Sequence, residues 1–156
     1  AVAQLAPTVC QGDRDGISLY IFSSPPHKHW RNVRTAQEVE GYFNANGPQG
    51  GTFLGPVLHQ AVVEHQQEYA RSSKPSHILV IHDGEPLDPN EVHTALVQAS
   101  QVPNGRKELT VSFVQVGNDV GASAYLNQLD SIPGVDYVKY SSLGGQSLAS
   151  AVGGSL

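Results

Sequence analysis

Two short stretches carry residues whose types and spacing suit chemistry. In SHILVIHDGEPLDP, Ser76 to Pro89, an apolar run ends abruptly on His82, Asp83, Gly84 and Glu85. A lone carboxylate at a strand end suits a hard cation such as Mg²⁺, which keeps several of its waters. Gly84 would let the backbone turn away without crowding the ion. The plain structural alternative is a turn, because Asp-Gly is a favoured turn pair. In GGTFLGPVLHQAV, Gly50 and Gly51 precede Thr52, which stands just ahead of a helical pattern. Its hydroxyl can cap that helix or bind a cation directly. No Gly-Lys-Ser/Thr follows, so the segment is not a phosphate-binding P-loop.

The seven histidines offer less. His27 and His29 form an H-x-H pair in a proline-led loop, where solvated side chains are the simpler account. His59 and His65 share one helix but lack the i, i+4 spacing of zinc-binding helices. The sequence contains no GxSxG, CxxC or GxGxxG, so the common enzyme signatures are missing.

Composition narrows the classes. A chain of 156 residues can bury a sizeable core and reads as a single domain over 1–156, ending in a Gly-rich tail over 144–156. Its formal net charge is -5 and its basic residues are scattered, which argues against nucleic-acid or anionic-membrane partners. No stretch approaches the ~18 consecutive apolar residues of a membrane span, so no direct membrane insertion is expected. Cys10 is the only cysteine, and no Asn-x-Ser/Thr sequon occurs. Both features lean toward an intracellular setting, in the cytosol or an organelle interior.

The elements that would position these residues follow from periodicity and breakers. GISLYIFSS, Gly16 to Ser24, reads as a strand, and SPPHKHWRNV as a polar loop. Thr35 and Glu38 form a capping box that starts a helix through about Phe43. Apolar residues from Leu54 to Tyr69 recur at helical spacing up to about Arg71. His77 to Ile81 has the continuous apolar run of a strand buried on both faces. Asp88 and Glu91 suggest a second capping box, with Pro89 at the first helical position. Glu108 to Gly117 and Val135 to Tyr140 read as further strands, with a helix around Tyr125, Leu126 and Leu129 between them. Alternating strands and short-looped helices predict an α/β fold, a mainly parallel sheet with helices on both faces. Ligands in such sheets bind beyond the carboxyl ends of the strands, which is where Asp83 falls.

At Thr52 and Asp83 the sequence resembles the von Willebrand factor A-type (VWA) domain. GGTFLGPVLHQAV resembles the family's second metal-site loop, and ILVIHDGEP its third, usually written T-D-G-E-P, with His82 in place of the Thr. GISLYIFSS, VRTAQEVEGYF and ELTVSFVQVGNDVGASAYLNQLD are similar to a compact intracellular branch of that family. The resemblance covers nearly the whole chain in order. It implies a Rossmann-like sheet of strand order 3-2-1-4-5-6 carrying a metal-ion-dependent adhesion site, or MIDAS. There a D-x-S-x-S loop, a Thr and an Asp hold Mg²⁺, and a partner's carboxylate commonly completes the coordination. By match, Thr52 and Asp83 would be metal ligands, with Gly51, Gly84 and Glu85 beside the partner. The implied function is a non-enzymatic protein-binding module, engaging another protein through an acidic side chain.

The D-x-S-x-S loop is absent from the sequence, and AVAQLAPTVC resembles the middle of the helix that follows it. The expectation is therefore an N-terminally incomplete domain whose first strand, loop and two helical turns amount to roughly twenty to thirty further residues. GISLYIF and HILVI are both too apolar for open sheet edges and would need a strand between them. Two other readings stand beside this one. The chain could be a degenerate, metal-independent VWA subunit of a larger complex, or a small α/β hydrolase or phosphatase using Asp83.

Overall fold

The computed structural model describes residues 7, 10, 15–22, 26–46, 51–101, 108–115 and 119–139, the side chains of 136–139 excepted. The Gly-rich tail over 144–156 and most of AVAQLAPTVC lie outside the described residues. The chain is a mixed α/β structure. It divides into two compact units, Ala1–Gly51 with Leu143–Leu156, and Thr52–Ser142.

In the first unit, strand β1 (Ile17–Ile21) pairs antiparallel with β2 (Lys28–Val33), and helix α1 (Ala36–Ala45) follows. β2 corrects the expected loop over SPPHKHWRNV. Its polar sequence hides what holds it: His29 stacks on Tyr20 across the pair at 4.1 Å, and Trp30 stacks on Tyr42 of α1 at 4.5 Å. Such cross-strand ring pairs stabilise a ladder without apolar alternation. Asn32 adopts a left-handed φ of 57°, and the β1–β2 register shifts between Ile17 and Leu19. Val33 and Val39 are the buried centre, with Ile17, Leu19, Trp30 and Tyr42 packed around them. α1 begins at the expected capping box, with both the Thr35 and the Glu38 bonds formed.

The second unit runs α2 (Gly55–Ser72), β3 (Ser76–His82), α3 (Pro89–Ser100), β4 (Leu109–Gln115), α4 (Val120–Leu129) and β5 (Val135–Lys139). β3, β4 and β5 form a parallel sheet in that order. β4 is central and nearly all of it is buried, from Leu109 through Phe113 to Gln115. Among the described residues β3 is an edge strand of this sheet, and only its Val80 and His82 are fully buried. The expectation that the strand before Asp83 is buried on both faces is thereby corrected, since β4 takes that role. Val62 of α2, Ala99 of α3 and Leu109 of β4 pack together, with Ile78 of β3 against them.

β1 and β3 belong to different sheets, so the two apolar strands do not pair with each other among the described residues. None of the described helices is long and apolar enough to cross a membrane.

Candidate functional site

The end of β3 and the loop after it carry four acidic or imidazole side chains in seven residues, His82 to Asp88. The spacing of Asp88 to Glu91 predicts that Asp88 caps its own helix, α3, but it forms no such bond. Its carboxylate instead accepts from the backbone amides of Leu54 (3.0 Å) and Gly55 (2.7 Å) at the start of α2. Two orphan amides of one helix are thus satisfied by an acid at the start of the next, which also suits the positive end of the α2 dipole. Gly55 makes this approach possible: a Cβ there would lie 2.5 Å from Glu91 Cβ and 2.8 Å from Asp88 Oδ2. Thr52 is accordingly not the N-cap of α2, since Leu54 holds that position without a side-chain bond.

Glu85 sits over the first turn of α4, where a Cβ on Gly121 would stand 3.6 Å from Glu85 Oε2 and 3.3 Å from Asp119 Oδ1. Asp119 caps α4 by accepting from the Ala122 amide at 2.8 Å. Tyr125 of α4 donates to the Pro89 carbonyl at 3.2 Å. Its burial, with the charges of Asp88 and Glu85 nearby, pushes the phenol up to about 12. The phenol therefore stays protonated, as its bond to a carbonyl requires.

Asp83 differs from Asp88: like Glu85 it is exposed, and among the described residues its carboxylate takes no hydrogen bond. The Thr52 segment is tied to the same loop, because Leu87 donates its amide to the Thr52 carbonyl at 2.8 Å. Thr52 is half-buried, and its hydroxyl likewise has no partner among the described residues. One backbone bond, Leu87 to Thr52, and the Asp88 carboxylate on the amides of residues 54 and 55 thus join the loop after β3 to the start of α2 and the residues before it. Gly84 faces open space, and a Cβ added there would meet nothing within 4 Å. Gly51 is half-buried and is the last residue of the first unit before Thr52. A carboxylate and a hydroxyl are the oxygen donors a hard divalent cation takes, with water filling the other positions. No group of three or more His, Cys, Asp and Glu side chains placed to hold a metal occurs among the described residues.

His82 ends β3 with 8% of its surface exposed. Its Nδ1 faces the Gly84 carbonyl at 2.8 Å, its ring meets Phe113 edge-on at 6.0 Å, and its buried Nε2 has no hydrogen-bond partner among the described residues. Burial pushes its pKa below the ordinary histidine value, outweighing the opposing pulls of the Gly84 carbonyl and the Asp83 charge.

The opposite end of β3 holds a polar group that no sequence pattern assembles. His65 of α2 faces Ser76 Oγ through Nδ1 at 2.8 Å and Glu108 Oε1 through Nε2 at 3.1 Å. His65 and Glu108 are 4% and 3% exposed, and the Ser76 amide donates to the Glu108 carbonyl at 2.8 Å. Of these residues only His65 stands out in the sequence, and there only for its wrong spacing from His59. The one local signal for the placement of Asp88 is the lack of a capping residue at Leu54.

Compared with known proteins, the chain matches no protein-family model and no curated sequence.

Proposed function

We propose that this chain is a VWA-type protein-binding module without enzymatic activity. Thr52 and Asp83 contribute to a Mg²⁺-dependent adhesion site that an acidic side chain of a partner protein completes. The observation that carries this reading is strand order. In a 3-2-1-4-5-6 sheet, the runs on either side of the first strand are 3-2 and 4-5-6. Within the second unit the parallel sheet runs β3-β4-β5, the order of the second run, and within the first unit β1 and β2 pair with each other as the two strands of the first run do. Thr52 and Asp83 then fall in the loops that the resemblance assigns to the metal, and those loops are joined by the Leu87–Thr52 backbone bond and by the Asp88 carboxylate. The side-chain chemistry fits the ion: a hydroxyl and an exposed carboxylate, neither engaged elsewhere among the described residues. Bound there, Mg²⁺ would supply a positive charge with exchangeable water positions for the partner's carboxylate. Thr52 and Asp83 would orient it, while Asp88 fixes the loop geometry from behind.

A second reading, a metal-independent VWA structural subunit, is favoured by the lack of any cluster of three His, Cys, Asp or Glu ligands among the described residues. Calorimetric titration of the protein with Mg²⁺ separates the two. The metal-site reading expects a binding heat that Asp83→Ala removes while the circular dichroism spectrum is unchanged. No heat in the parent protein, or equal heat in the variant, would favour the structural subunit.

A further inference from the structure

β3 pairs with β4 along its whole length, from Ser76 beside Leu109 to His82 beside Gln115, with no register shift. No strand of the described residues lies on its other side. The Ser76 amide donates to the Glu108 carbonyl, so the even-numbered residues of β3 direct their backbone groups to β4. Residues of a strand bond alternately to its two sides. The amides and carbonyls of Leu79 and Ile81 therefore point away from the sheet.

The devices that usually protect such an edge are missing from it. Between Ser76 and His82 there is no Lys, Arg, Asp, Glu or Pro, and Ile78, Leu79, Val80 and Ile81 make both faces apolar. A strand that completes this edge must likewise be apolar on both faces and uncharged along its length. Charge sets its direction. Lys74 stands at the amino end of β3, Asp83 and Glu85 stand at its carboxyl end, and all three are exposed. An antiparallel occupant with a basic amino end and an acidic carboxyl end sets opposite charges together, whereas a parallel one opposes like charges. β3 itself has every one of these properties.

We propose that β3 pairs antiparallel with β3 of a second copy of this chain, about a two-fold axis at Leu79. The result is one continuous sheet in the order β5-β4-β3-β3-β4-β5. Leu79 lies opposite Leu79, Ile78 opposite Val80 and Ile81 opposite His77 of the second copy, and the two Leu79 residues exchange backbone bonds. The neighbouring registers are poorer. Centring the axis on Ile78 would set Ile81 against Pro75, which has no N–H to give. Centring it on Val80 would draw Asp83 out of its loop into the ladder. A contact of this symmetry closes after two copies. The second copy takes the flank of β3 that the strand order of the resemblance gives to a first strand. The two Asp83 residues lie roughly 27 Å apart at the rise of an extended strand, so the dimer presents two adhesion sites facing opposite ways.

The test is the mass in solution together with a cross-link that reads the register. Sedimentation equilibrium over a wide concentration range should show monomer and dimer in exchange. Lys74→Glu, at an exposed position, sets like charges together across the axis and should weaken the dimer by about fivefold. In a Cys10→Ser background, Leu79→Cys should form a disulfide between copies under mild oxidation, since opposite Cα atoms in such a pair lie ~5.5 Å apart. Ile81→Cys should not, because its two copies lie roughly 14 Å apart. A chain that stays monomeric at every concentration overturns the inference. So does a dimer that Lys74→Glu leaves intact, or one that cross-links equally at both positions or at neither. Mg²⁺ titration of the same samples reads the adhesion site separately, so either idea can fail alone.

Discussion

The two ends of β3 hold comparable polar groups in opposite states of satisfaction. At the amino end, His65 is enclosed and both ring nitrogens have partners, Ser76 on one side and Glu108 on the other. At the carboxyl end, His82 is nearly as buried, yet among the described residues only one ring nitrogen is engaged. Closed networks of the first kind bind secondary structure together, here the middle of α2 to the starts of β3 and β4. They leave nothing for a ligand to do. A buried group with a missing partner, beside an exposed acid, is where a ligand has something to contribute. Burial alone does not distinguish the two ends; the count of satisfied atoms does.

The comparison is broken most forcefully at the closed end. Glu108→Ala strands the His65 Nε2 inside the protein without an acceptor. Loss of one partner from a buried, hydrogen-bonded pair is expected to destabilise the fold by about 3 kcal/mol. Urea unfolding should show the midpoint falling with little change in slope, and cation binding under native conditions should persist. A loss below about 0.5 kcal/mol would mean the amino-end network is not structural, and the contrast between the ends would collapse.

What was legible in the sequence follows the range of the forces involved. The capping box at Thr35 and Glu38 was readable because its two bonds span three residues and depend on nothing else. The helices and the strands β1, β3, β4 and β5 were readable from periodicity and from the glycines and prolines around them. β2 was not, because its support comes from Tyr20 in one neighbour and Tyr42 in another rather than from its own pattern. Asp88 misled for the same reason. Its spacing to Glu91 is that of a capping box, but the amides of Leu54 and Gly55 lie within reach in space and win the carboxylate. The ligand candidates Thr52 and Asp83 came from residue type and position, a hydroxyl before a helix and a carboxylate at a strand end, and then from the resemblance, whereas the state of the His82 ring is visible only in three dimensions.

A smaller perturbation sharpens the open end. Asp88→Ala removes the acceptor for two α2 amides and is expected to cost about 1–2 kcal/mol, the usual range for losing a helix cap. Asp88→Asn, with a single carboxamide oxygen, should recover part of it. Hydrogen exchange should quicken first at Leu54 and Gly55. Because the Leu87 to Thr52 bond survives, cation binding should weaken rather than vanish. Unchanged exchange at those two amides would show that Asp88 does not hold the loops together.

The smallest effect is a slope rather than a step, and it tests whether His82 is held neutral. Its pKa in the folded protein lies below the ordinary value of 6.5, with burial as the main cause. In the window between the folded and unfolded values, the unfolded chain binds the extra proton and the folded one does not. Stability therefore falls as pH drops below about 6.5, and this contribution levels off only once the folded ring also takes up a proton. Denaturant unfolding in excess chelator between about pH 8 and pH 5 should show this decline, and His82→Thr should flatten it by the share that belongs to His82. The chelator keeps adventitious metal off the histidines, because ligation would itself oppose protonation. Equal slopes in parent and variant would mean that His82 is solvated well enough to titrate normally. Its bare nitrogen would then be no more available than either nitrogen of His65, and the two ends of β3 would differ in geometry alone.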